Sequence, residues 1–429
     1  MKFFIFLCTV IVVFSCKSAD NRFYMPAEWE HHDAVWFGWE TDTSFYPSIV
    51  KMIKTLESYV PVKVAVSSDS LLQVAKSYLY KNGIDSAHVT FYTMPGDRYW
   101  IRDNGAAFLV NEKGELGVAD FDWDNYGMPA WLNENFENNK DSVEKYTTLW
   151  MKRKTSTLDS NMAAVEKALV QKTKIVHEGG AIEVNGKGTL ILCEATVFQR
   201  NPGVAREEIE AEFKRVLGVS KIIWMKKGLA DDPHFFFRRI TGNYVGGGTG
   251  GHTDEFVRFA TPNTILLAWV AEEEKDLNPV NTMNYERMSE NLKILESATD
   301  QDGKPFTVIK VPLPDLITKK IVARQKIDSL SGAFDLPLSR FVPKERPNEG
   351  DTLIRVPATS YLNYLVTNGI VLMSTYTQMG SSPVKEEAVK KIFREVFPGR
   401  EIATFDVMPQ NWDGGGIHCS TQQQPSKRR

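Results

Sequence analysis

Strand, strand, helix, strand recurs along this chain, with no proline-, glycine- or serine-rich linker dividing it into halves. Polar residues of reactive type recur with a similar pitch. From Asp103 to Glu178 is 75 positions (178 − 103), and from Glu178 to His252 is 74 (252 − 178). From His252 to Cys419 is 167 (419 − 252), roughly two such units with an insertion in one. A group at the same point of successive modules converges on a common axis, so the spacing predicts an α/β repeat architecture rather than two domains. One of those two answers is required, because 429 residues exceed the ~250–300 at which a single core stops growing.

The modules are read from periodicity. Ile49 to Tyr59 has helical spacing, Val60 to Val66 alternates as a strand, and Ser70 is expected to cap a helix that ends at Gly83. After a strand at Val89 to Tyr92, Trp100, Arg102 and Asp103 are placed at a strand end, ahead of a hairpin of Ala106 to Val110 and Leu116 to Trp123. Asp120, Asp122 and Asp124 follow a two-residue spacing that puts all three on one face of an extended segment. Met162 to Gln171 reads as a helix, and Lys174 to Val184 with Thr189 to Val197 as a hairpin through Asn185-Gly186. Glu207 to Leu217, Tyr285 to Ser297 and Val384 to Val396 read as helices; Lys221 to Met225, Phe306 to Pro312 and Tyr361 to Thr375 as strand sequence. Leu316 to Asp351 is polar and proline-punctuated, and is expected to be a surface insertion. The aromatic-rich stretch Arg22 to Glu40, with Trp29, Trp36 and Trp39, must pack into the core or line a cavity mouth.

Ahead of it, Lys2 precedes an apolar run from Phe3 to Phe14, then Ser15 and Cys16. Twelve residues fall short of the ~20 that span a bilayer, so residues 1–21 read as an export signal. Val13-Phe14-Ser15-Cys16 resembles a bacterial lipobox, in which the cysteine is lipidated; an ordinary cleaved signal is the other reading. The expected location is the bacterial cell envelope, with the membrane touched only through that anchor. A net charge of −3 argues against a nucleic-acid partner. Of four cysteines, Cys8 leaves with the signal and Cys16 is taken if lipidated; Cys193 and Cys419 are too few for a disulfide framework or a cysteine-rich zinc site.

Asn411 to Pro425 reads NWDGGGIHCSTQQQP. Three glycines deliver Cys419 into a polar run, which suits a nucleophile, although a free cysteine is more often a small buried apolar residue. A base is needed. His418 adjoins the cysteine and, in an extended segment, points to the opposite side; His31, His32 and His177 have no distinguishing context. His252 follows Gly250 and Gly251, and Asp254, two residues on, would share its side of a strand. Asp103, Glu178 and Asp254 are more carboxylates than a serine-type triad uses. Several in one pocket call for a cation, and a guanidinium pairs bidentately with carboxylates.

RFYMPAEWEHHDAVWFGWE, WIRDNGAAFLV, HEGGAIEVNGKGTLIL, GGHTDEFVRF, RVPATSYLNYLVTNGIVLMSTY and GGGIHCSTQQQP together closely resemble the agmatine deiminase family, grouped with the Porphyromonas-type peptidylarginine deiminases. The likeness runs from about Arg22 to Pro425. It implies a pentein α/β-propeller, five ββαβ-like modules about a pseudo-fivefold axis, in a single catalytic domain over residues 22–429. It implies Cys419 as nucleophile, His252 as general acid/base, Asp103 and Asp254 gripping the guanidinium, and Glu178 orienting His252 and touching substrate. No cofactor or metal is implied, and a homodimer is.

Agmatine, a precursor of putrescine, is the expected substrate, giving N-carbamoylputrescine; peptidyl- or free arginine, giving citrulline, is the alternative. Asn104 and Ala106 depart from the family's WIRDTGP, and Gly246 to Gly248 stand where an acidic pair is usual. Both departures concern the substrate tail, beside Trp100. Asp120, Asp122 and Asp124 suit the free amine of agmatine, with Asp122 and Asp124 expected to bind it; Arg238, Arg239 and Arg258 could serve a carboxylate. Two further readings are a metal-dependent hydrolase using His252, Asp254 and Glu178, and a non-catalytic surface lipoprotein. GGGTGGHTD lacks the Gly-Lys-Ser/Thr ending of a phosphate loop.

Overall fold

In a computed structural model, residues 21–427 are described, apart from 85–86, 96–98, 136–143, 145–156, 235–237, 329–330 and 333. The predicted signal segment, Cys8 and Cys16 included, lies outside the described residues.

The repeat is visible in the sheets. Ala107–Val110 runs antiparallel to Leu116–Asp122, and after helix Leu158–Glu166 the strand Leu169–Val176 joins parallel to Leu116–Asp122. Glu183–Val184, Thr189–Cys193 and Lys221–Met225 repeat this order around helix Arg206–Leu217. Val257–Thr261, Thr264–Trp269 and Thr307–Pro312 repeat it around Pro279–Ser297. Leu365–Thr367, Ile370–Ser374 and Glu401–Phe405 do so around Pro383–Val396. In the remaining unit the antiparallel partner comes from the other end of the chain. Thr421–Pro425 pairs with His32–Trp39, which is followed in parallel by Val62–Val66 and Val89–Thr93. The two ends of the described chain therefore close one sheet.

Middle strands are covered on both faces, so they read as nearly unbroken apolar runs rather than alternating ones. His32–Trp39 is buried at every position but Asp33, and Trp36, Phe37 and Trp39 are fully buried, as the aromatic density of that stretch requires. Its flanking helix Tyr46–Leu56 presents Ile49, Met52, Ile53 and Leu56 to the same core.

Several local expectations need correction. The helix Asp69–Lys81 is capped by Ser68, whose hydroxyl accepts the Leu71 N–H at 3.3 Å; Ser70 lies inside it. The predicted helix to Gln171 stops at Glu166, because Lys167 takes a left-handed conformation (φ 54°) and Leu169 opens an edge strand. Lys174–Val176 belongs to that strand, so the hairpin through Asn185-Gly186 shrinks to Glu183–Val184 and Thr189–Cys193, and Glu194–Arg200 is helical. The pairing register shifts between Asp120 and Asp122, and Asp124 lies beyond the strand, so the three carboxylates do not share one face. Residues 316–351 are more than a surface excursion. Lys319–Arg324 and Leu336–Pro337 join Thr352–Arg355, Arg239–Thr241 and Tyr244–Val245 in a five-stranded sheet over Ile321, Ala323, Leu336 and Leu353.

Candidate active site

Asp103 sits in a one-turn helix, Ile101–Asn104, rather than at a strand end; Arg102 beside it donates its backbone N–H to the Cys419 carbonyl at 3.2 Å. Glu178 follows strand Leu169–Val176, ahead of Gly179 and Gly180. His252 follows Gly250 and Gly251, both left-handed (φ 86° and 118°), and precedes a helical turn, Thr253–Phe256, so Asp254 is carried by a turn and not by a strand. Cys419 lies in the turn Ile417–Ser420 that leads into Thr421–Pro425.

These turns converge. A Cβ added to Gly180 would meet Asp103 Oδ1 at 2.6 Å, His252 Nδ1 at 2.7 Å and Asp254 Oδ2 at 3.1 Å, so three groups from two units crowd a glycine of a third. The Cys419 thiol points at Asp254 Oδ2 at 3.4 Å. Trp100 closes the other side: a Cβ on Gly415 would meet its ring at 2.6 Å and the Cys419 Cβ at 3.2 Å. The structure thus brings together Cys419, Asp254, His252, Asp103, Glu178 and Trp100. Asp124, half-buried, accepts the Gly127 N–H at 2.6 Å, and burial raises its carboxyl to about 6, with Glu178 adding to the rise. Asp122 stands exposed at its strand end.

His252 is fully buried, with Nε2 3.3 Å from Glu178 Oε2 and Nδ1 3.5 Å from Asp103 Oδ1. Burial opposes charge on the ring, but the Asp103 and Glu178 carboxylates outweigh it and raise the ring to about 9. Glu178 also loses solvation, and the Arg200 guanidinium, 2.9 Å away, together with His252 holds it well below the usual carboxylate range. Asp103 is pushed up to about 6, burial being the largest cause, although the Tyr126 hydroxyl donates to it at 2.8 Å. Burial first, then Asp254, Glu255 and Asp103, push the Cys419 thiol well above its ordinary value. Without substrate, the site holds a thiol and an imidazolium. Among the described residues, His252 Nδ1 and Asp254 Oδ1 are buried without a hydrogen-bond partner. The oxygens of Asp103, Asp254 and Glu178 make the cluster acceptor-rich, which suits a donor-rich cation.

Sequence reasoning missed several residues here. Strand alternation points His418 away from the site, but its segment is a turn; Nδ1 lies 2.7 Å from Asp254 Oδ2 and Nε2 2.8 Å from Glu28 Oε1. Burial, with the Arg102 and Arg258 guanidinium groups, pulls the ring below its ordinary value, against the pull of Glu28 and Asp254. Glu28 in turn meets Arg102 at 3.3 Å and pairs with Arg258. Asp232 accepts the backbone N–H groups of Thr249 and Gly251, setting the loop before His252. Of the arginines read as carboxylate ligands, Arg258 is committed to Glu28 and Glu183, and Arg239 to the Gly242 and Glu345 carbonyls. Donor atoms of Asp254, Glu255 and Cys419 lie within 4.8 Å of one another, a set a soft divalent ion could also use.

The α/β units and the match to known proteins define a hydrolase that acts on carbon–nitrogen bonds. More particularly, the chain belongs to the Porphyromonas-type peptidyl-arginine deiminase family, whose profile matches residues 24–425. It is 29% identical to an agmatine deiminase of Pseudomonas fluorescens strain Pf-5 across 97% of this chain and 98% of that one. An agmatine deiminase of Stutzerimonas stutzeri is 27% identical, over 95% and 96%. Solved folds agree. An agmatine deiminase of Enterococcus faecalis superposes with a TM-score of 0.70 at 22% identity, over 94% of this chain and 96% of that one. A C. jejuni agmatine deiminase with substrate bound gives 0.64 at 18%, over 94% and 96%.

Proposed function

We propose that this protein deiminates agmatine to N-carbamoylputrescine through a covalent cysteine adduct. The observation that carries the reading is the convergence of Asp103, His252 and Asp254 on Gly180, beside the Cys419 sulfur. The guanidinium is held by Asp103 and Asp254, and Glu178 orients His252. Cys419 thiolate attacks the guanidinium carbon; one C–N bond breaks, and the proton of His252 leaves with ammonia. Water, giving its proton to the now neutral His252, attacks the thiouronium carbon, and the C–S bond breaks to release a ureido product and the thiolate. In this reading the five units, each contributing near the same point of its repeat, surround a pseudo-fivefold axis in one domain over residues 22–429.

Trp100 walls the substrate channel, and Asp122 and Asp124 are assigned to the amine end. Commitment of Arg258 and Arg239 to other partners favours an amine tail over a carboxylate. Arg238, whose Nε is buried without a hydrogen-bond partner among the described residues, is the one observation favouring the arginine alternative. The apolar run to Phe14 and the lipobox-like Cys16 support export to the cell envelope with a lipid anchor, and a homodimer is the expected assembly. No helix among the described residues is long and apolar enough to cross a membrane.

The test is a ureido-product assay with agmatine, free arginine and a peptide ending in arginine, run beside Cys419→Ala. Agmatine is expected to be turned over fastest and the variant to be inactive. Retained activity in the variant excludes the scheme.

A further inference from the structure

Four reactive groups come from four units, each two to five residues ahead of its unit's first strand: Asp103, Glu178, His252 and Cys419. The unit that opens on Leu365–Thr367 has Asn363 in that place. From His252 to Asn363 is 111 positions (363 − 252), one repeat of 75 lengthened by the 36 residues of 316–351 (351 − 316 + 1). The fifth unit is therefore not silent.

Asn363 is 1% exposed, and its amide is fully used. Oδ1 accepts the His418 N–H at 2.8 Å, while Nδ2 donates to Cys419 Sγ at 3.0 Å and to Glu255 Oε1 at 2.8 Å. The His418 N–H fixes which way the amide points, since a flip would set a donor against a donor. Gly416 makes room for it: a Cβ there would meet Asn363 Oδ1 at 2.6 Å.

We propose that Asn363 is a catalytic residue, its amide N–H stabilising the Cys419 thiolate, and that Glu255 is the positioning residue that aims that amide. The proposal rests on the cysteine mechanism above and adds a donor to it. The sulfur is faced by Asp254 from the turn after His252, by Glu255 from the same turn and by Asp103 from the first repeat, and the Asp254 and Asp103 carboxylates disfavour negative charge on it. His252 stands across Gly180, and the Tyr99 and Tyr126 hydroxyls feel the sulfur's charge. The Gly416 backbone favours the thiolate against these charges. The Asn363 amide adds a neutral donor directly on the sulfur. Burial and the charges of Asp254, Asp232, Asp231 and Asp103 hold Glu255 as the neutral acid, so it can accept from Asn363 without placing another full charge beside the sulfur.

The experiment follows alkylation of Cys419 by iodoacetamide against pH in the full-length protein, read by mass on the peptide containing that residue. Asn363→Leu keeps the size of the side chain and removes both donors without adding a charge beside the sulfur, while the His418 N–H retains the residue-363 carbonyl at 3.3 Å. Its reaction at pH 7 is expected to slow about tenfold or more, with the midpoint about one pH unit higher. An unchanged midpoint in the folded variant overturns the proposal. Should Asn363→Leu fail to fold, Glu255→Gln and Glu255→Leu decide. Gln keeps an acceptor for Asn363 and should hold the midpoint near wild type, whereas Leu should raise it; equal midpoints overturn the proposal. Alkylation needs no turnover, so a wild-type protein that makes no ureido product defeats the deiminase reading without deciding this one.

Discussion

Asp254 and His418 are bound 2.7 Å apart, through the same carboxylate oxygen that receives the Cys419 thiol at 3.4 Å. The imidazole thereby fixes one carboxylate of the proposed guanidinium grip, and Glu28 fixes the imidazole. Removing the ring leaves Asp254 buried with its strongest donor lost. His418→Ala is expected to lower kcat/KM for agmatine about 10- to 100-fold and to destabilise the fold by about 1–3 kcal/mol. Steady-state kinetics and thermal unfolding check the two effects. Glu28→Gln, one bond further out, should lose less activity.

The raised His252 sets a stability limit on the alkaline side. Its folded value near 9 lies above the ~6.5 of an unfolded histidine, so its contribution is complete below about pH 6.5 and lost as pH rises through about 9. In a Cys419→Ala background, which removes the thiol titration, the melting temperature should fall between pH 7 and 10. His252→Asn in that background should flatten that fall, and in the native chain it should cost about 10²–10⁴-fold in rate. A steep decline that survives the substitution would place the titration elsewhere.

The parts of the site carried by sequence pattern were those with an unusual residue in an unusual setting. Gly-Gly before His252 and Gly-Gly-Gly before Cys419 mark close approaches of backbone to reacting groups, and the ~75-residue pitch marks the repeat. His418 and Asn363 were not legible in this way. One was judged by strand alternation although a turn carries it; the other's period is masked by the 36 residues of 316–351. Glu28 lies 390 positions from its partner His418, a distance that no local periodicity encodes. Helix ends failed for the same local reason: the left-handed Lys167 is not a residue type that announces a stop.

Asp254, Glu255 and Cys419 could hold a soft divalent ion, so the metal-hydrolase reading has a definite test. Dialysis against EDTA is expected to leave the rate with agmatine unchanged, because the guanidinium carbon is already electrophilic and sulfur supplies the nucleophile. Loss of activity on dialysis, restored by a divalent ion, would favour the hydrolytic metal site.

A thiol beside the buried carboxylates of Asp103 and Asp254 still has to become a nucleophile. In the empty site, burial and the charges of Asp254 and Asp103 keep Cys419 protonated well past neutrality. A guanidinium seated between Asp103 and Asp254 reverses the local sign, and an opposite charge within ~4–6 Å favours the thiolate by about 1–3 pH units. The substrate is then its own activator. Because kcat/KM reports the free enzyme and kcat the bound complex, the acidic limb of kcat should lie at least about one pH unit below that of kcat/KM. In kcat/KM, where the thiol of the empty site titrates above His252, the thiolate–imidazolium form is a minor species and the rise should run up to about pH 9. Coincident acidic limbs would mean that the thiolate forms without help from the bound cation, and another positive group would have to supply that charge.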